Sequence, residues 1–137
     1  MLGLALLVSV QADAVDTSKI ANALAAAKRG DARGDFTAAL AILMPLAEQG
    51  NAEAQARLGV MRETGEGLIQ DYSAAIAWYQ RAAEQGDPTA QNNLGMMYAR
   101  GLGVRKNYVE GHKWVNLAAR QRSEATPLRH AVRARTC

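Results

Sequence analysis

Two histidines, one cysteine and two glycine-rich loops are the residues of this 137-residue chain whose types suit them for chemistry. His112 and His130 lie far apart, with no cysteine or carboxylate at ligand spacing around either, so the spacing argues against a zinc site. His112 follows Ile76 by 36 residues and takes the place of an apolar side chain, which predicts a partly buried structural histidine. Cys137 has no partner for an intramolecular disulfide and no packed surroundings to lower its pKa or aim a base at it. Gly65-x-Gly67 and Gly101-x-Gly103 follow helical patterns rather than strands, and neither leads into Lys-Ser or Lys-Thr, so they read as connectors. With no Gly-x-Ser-x-Gly and no closely placed acid pair, the sequence points to no catalysis and no cofactor.

The elements that would position any site are helical. Aromatic residues make up 5% of the chain, alanine is abundant and charges of both signs are mixed, a composition suited to closely packed helices in one domain. The formal charge of +3 is unevenly spread: residues 1–98 carry 7 basic and 11 acidic side chains, residues 99–137 carry 9 and 2. An electrostatic partner would therefore meet the C-terminal third.

Residues 2–10, LGLALLVSV, form an uncharged apolar run too short for the about 20 residues of a membrane span. Ala12-Asp13-Ala14 follows with the alternating small residues that signal peptidase needs, so residues 1–14 read as a signal peptide and the chain as secreted, into a bacterial periplasm. The missing positive charge before Leu2 leaves open a longer leader, and a buried N-terminal helix is the alternative.

Asp35, Asn51, Asp71, Asp87 and Asn107 each precede a helical pattern as N-caps, and Gly30, Gly50 and Gly86 end one. The predicted helices cover 17–29, 36–49, 52–63, 72–85, 88–99 and 108–120. They repeat at 36 residues: Gly59 answers to Gly95, Gly65 to Gly101, Gly67 to Gly103, Trp78 to Trp114 and Ala83 to Ala119. Ala54, Leu58 and Met61 form one narrow apolar stripe, and Ala90, Leu94 and Met97 form its copy, so hairpins must stack to bury them. Glycine inside a helix costs about 1 kcal/mol relative to alanine. Gly59 and Gly95 therefore predict close approach of the second helix of each pair.

The string Ala-x-x-x-Leu-Gly-x-x-Tyr-x-x-Gly-x-Gly-Val, followed by a capping residue, an aromatic, Lys-Trp and Ala-Ala, resembles the Sel1-like repeat, a relative of the tetratricopeptide repeat. Residues 87–120 carry Tyr98, Gly101, Gly103, Val104, Lys113, Trp114 and Ala118-Ala119; residues 51–86 match with Arg62, Leu68 and Ala77 as departures. A partial unit spans 17–50, where Asp35, Phe36, Ala39, Ala47 and Gly50 precede their counterparts by 36. The resemblance implies an all-α fold, a right-handed α/α superhelix (solenoid) of stacked antiparallel helix pairs, and protein–protein scaffolding without shared chemistry. Residues 121–137 offer Thr126 as N-cap, Pro127, and the stripe Leu128, Ala131 and Val132, a C-terminal capping helix whose Arg129, Arg133 and Arg135 form a solvated face or an anion-binding one.

In such a stack the first helix of each pair lines the concave side. Its residues off the core stripe are Glu53, Ala56, Val60 and Glu63, then Thr89, Asn92, Met96 and Arg100, the candidate protein-binding set. Val60 and Met96 read equally as groove anchors or as part of a wide core stripe. The expected function is a non-catalytic adaptor for a peptide or protein segment, monomeric or a weak homodimer, with no nucleic acid expected and no transmembrane span. The alternatives are a secreted hydrolase or cell-wall-modifying enzyme, for which the paired cysteines and catalytic groups are missing, and an anionic-surface binder using the basic C-terminal third.

Overall fold

The computed structural model describes residues 18–22, 25 and 32–124; the leader, Gly30, His130, Cys137 and the proposed cap lie outside the described residues. After a helical stretch at 18–22 come α1 (Ala32–Glu48), α2 (Ala52–Thr64), α3 (Tyr72–Glu84), α4 (Pro88–Arg100) and α5 (Tyr108–Glu124), with no strand among the described residues. Each helix packs on its neighbours in sequence, and α2 also meets α4, so hairpins α2–α3 and α4–α5 stack in order.

Four helix starts are fixed by the expected side chains. The carboxyl or amide oxygens of Asn51, Asp71, Asp87 and Asn107 accept from the backbone N–H three residues on, at 2.8–3.1 Å. Asp35 does not cap: α1 begins at Ala32 and includes it. The α5 helix runs on to Glu124, because the glycine that ends the earlier units is replaced there by Arg122. Gly65 and Gly101 close the first helix of each unit in the left-handed conformation, φ 80° and 71°, their N–H groups donating to the carbonyls of Met61 and Met97.

The close approach predicted from the mid-helix glycines is present in both units. A Cβ at Gly59 would lie 2.5 Å from the Tyr79 ring, and one at Gly95 would lie 2.6 Å from Val115 Cγ2 and 2.7 Å from the Gly111 carbonyl. The second loop glycine of each unit sits on the first aromatic of the preceding helix pair: Gly67 covers Phe36, and Gly103 covers Tyr72. Two apolar clusters follow from this stacking. Ile20, Leu43, Leu46, Leu58 and Met61 fill one; Ala75, Tyr79, Leu94, Met97 and Trp114 fill the other.

Candidate protein-binding surfaces

The N-terminal turns of α2 and α4 lie side by side and enclose a hollow of about 150 Å³ lined by Glu53, Ala56, Arg57, Asp87, Pro88 and Thr89. Three of the sequence candidates, Glu53, Ala56 and Thr89, thus come together across successive repeats. Its rim pairs charges of both signs with the Thr89 hydroxyl, a set suited to polar segments of a partner chain. Ala56, expected on display, is buried at 3% exposure and forms part of the second cluster, because α4 packs close beside it.

Glu63 is committed elsewhere. Its carboxylate accepts the Tyr79 hydroxyl proton at 2.6 Å, and Asn93 of the next repeat donates to the same hydroxyl at 3.3 Å. Burial, reinforced by the Glu63 carboxylate, pushes the Tyr79 hydroxyl well above the ordinary phenol range. This triplet ties α2, α3 and α4 together. The sequence marks Glu63 as a groove residue, with nothing to reveal that it meets Tyr79.

Val60 is half-buried and packs against the second cluster. Met96, its counterpart, is 41% exposed and Arg100 is exposed, while Asn92 is half-buried. Met96 lines a second groove, of about 430 Å³, with Gly95, Ala99, Tyr108, Gly111, His112 and Val115 between α4 and α5. His112 is exposed, not partly buried as expected, because the face on which Ile76 is covered in the preceding unit is open here. Tyr108 is likewise 66% exposed, with Lys106 Nζ 5.0 Å from its ring centre.

Two buried glutamines went unremarked in the sequence, although they recur at the 36-residue spacing. Gln55 donates to the Ala47 carbonyl at 3.0 Å and accepts from Gln85 at 2.8 Å; Gln91 donates to the Ala83 carbonyl at 3.1 Å. Each fastens the start of one repeat to the end of the one before, so they position the surface without belonging to it. No group of three or more His, Cys, Asp or Glu able to hold a metal occurs among the described residues, and none of the described helices is long and apolar enough to cross a membrane.

The Sel1 repeat family matches at residues 52–87 and 88–123, together more than half of the chain. No curated protein sequence matches. Among solved structures, a protective antigen of uropathogenic Escherichia coli strains displaying an SLR fold is 38% identical with a TM-score of 0.70, over 77% of this chain and 23% of that one. A Sel1 repeat protein from Oxalobacter formigenes is 42% identical with a TM-score of 0.58, over 61% of this chain and 34% of that one. The chain therefore spans about a third or less of these relatives. With an all-α stack of hairpins, the repeat match and these solenoid neighbours in agreement, the chain belongs to the Sel1 repeat family.

Proposed function

We propose that the protein is a non-catalytic adaptor that holds an extended segment of a partner protein along the concave side formed by α2 and α4. Sel1 repeat proteins generally act as protein-interaction scaffolds, which supplies the class of function. The observation that carries the finer reading is the hollow shared by two successive repeats, where Glu53 and Arg57 of one face Asp87 and Thr89 of the next. A segment lying across it would contact both repeats at once and read their relative placement. Glu63 and Val60, drawn into the joint between repeats, orient this surface, and Arg100 and Asn92 extend it along α4. The small-residue site after the apolar run at 2–10 supports a secreted, periplasmic setting for the partner.

The test is affinity capture from an envelope extract with the intact chain and with Thr89→Arg, a bulky change at an exposed helical position. A partner retained by the intact chain and lost with Thr89→Arg supports the concave site. Equal retention by both removes it. Intact-mass measurement of the secreted chain tests cleavage after Ala14.

A further inference from the structure

The groove between α4 and α5 corresponds, position for position, to the face that α2 and α3 use to receive the next hairpin. Its seven lining residues each stand 36 positions after a residue of the preceding unit. At the earlier joint those positions are covered: Val60, Tyr72 and Ile76 pack against the second cluster and Tyr79 is fully buried there under α4. The groove is thus the receiving half of a helix–helix joint.

It is also hollower than its template. Val115 stands where Tyr79 fills the earlier joint, and Ala99 stands where Glu63 holds that tyrosine's hydroxyl. The space beside Ala99 and Val115 is therefore left for a side chain brought by the occupant. Its surroundings are cationic. Lys106 lies against the Tyr108 ring and Arg100 follows Ala99, whereas α4 has no acidic residue and Glu110 of α5 is paired with Lys113 at 3.6 Å.

We propose that this end groove docks an amphipathic helix of a partner protein, with a large apolar or aromatic anchor seated beside Ala99 against Met96 and Val115, and with acidic residues meeting Lys106 and Arg100. The groove's geometry supplies the helix, since a helix covers the same face one repeat earlier; the truncations supply the anchor; the charge supplies the acidic flanks. This site is separate from the α2–α4 hollow and stands or falls without it.

The test uses the full chain with methyl-labelled methionine and valine and a designed helical peptide of about 14 residues carrying Phe and Leu at i, i+3, i+4 and i+7 with glutamate flanks. Binding should move the Met96 and Val115 methyl resonances. Val115→Tyr, which fills the hollow as Tyr79 does one repeat earlier, should weaken binding by about tenfold or more while the fold is retained, and exchanging the flanking glutamates for lysine should do the same. Absence of binding, or binding that leaves Met96 and Val115 unmoved, overturns the proposal. Two further results also overturn it by naming another occupant. Methyl shifts that grow with protein concentration alone assign the groove to a second copy, and shifts produced in the free chain by Leu128→Asp with Val132→Asp assign it to the chain's own C-terminal segment.

Discussion

The Tyr79 ring occupies the space where a side chain on Gly59 would begin, and its hydroxyl reaches on to the Glu63 carboxylate at 2.6 Å. One residue thus sets both how closely α2 and α3 approach and how the next repeat is received, through Asn93. The glycine and the tyrosine form a single fitted pair.

Replacing either mid-helix glycine tests that fit. An alanine would gain about 1 kcal/mol in helix propensity, but overpacking in a filled core costs typically about 1–3 kcal/mol. At Gly95 the obstruction includes the Gly111 carbonyl, which is backbone and cannot rotate away; at Gly59 the nearest atoms all belong to the Tyr79 ring. Gly95→Ala is therefore expected to lower the melting temperature more than Gly59→Ala, with both below the parent chain in thermal unfolding. A rise for Gly95→Ala would contradict the close approach.

Tyr79→Phe removes the donor to Glu63 and the acceptor for Asn93 while keeping the ring, at an expected cost of about 1–2 kcal/mol in denaturant unfolding. The pH dependence has a definite sign. Burial and the Glu63 carboxylate raise the folded-state pKa, so the unfolded chain loses this proton first as pH rises. The contribution is complete below the ordinary phenol range and declines above about pH 10. In Tyr79→Phe the slope of stability against pH above that point should be shallower. An unchanged slope would show that the hydroxyl is ordinary.

The two buried glutamines are not equivalent. Gln55 is satisfied at both ends of its amide, by Ala47 and Gln85, whereas the Gln91 oxygen is buried without a protein partner. Gln55→Leu breaks two hydrogen bonds and should destabilise by about 1–3 kcal/mol. Gln91→Leu breaks one and removes the unsatisfied oxygen, so its cost should be the smaller of the two. Chemical denaturation of both variants in parallel decides the order.

The features legible in the sequence were those that recur with a fixed local meaning. The 36-residue period, the caps at Asn51, Asp71, Asp87 and Asn107, and the glycine pairs each express a backbone requirement that the residue type itself satisfies. Asp35 misled because a short polar residue is also tolerated inside a first turn, and nothing local marks which turn is first. The candidate surface was less legible for a different reason. Helical spacing identifies which residues share a stripe, but whether a stripe is covered depends on what stands in the next repeat. Val60 and Met96 occupy the same position in their helices, yet one packs against the cluster that α4 completes and the other lines an open groove. Likewise Glu63 and Thr89 both read as groove residues, and only the placement of Tyr79 separates them.

Asp87 bears on both the fold and the candidate surface, and two substitutions separate its roles. Its carboxylate accepts from the Ala90 N–H at 2.8 Å and starts α4, and the same residue lines the α2–α4 hollow beside Arg57. Asp87→Asn keeps a capping oxygen and should leave stability within a few tenths of a kcal/mol, whereas Asp87→Ala loses the cap and should cost about 1 kcal/mol. If the carboxylate's charge also orients a partner in the hollow, both variants weaken capture of that partner, and Asp87→Asn does so without a change in melting temperature. Capture unaffected by Asp87→Asn would confine the residue to its capping role and shift the recognition to Glu53, Arg57 and Thr89.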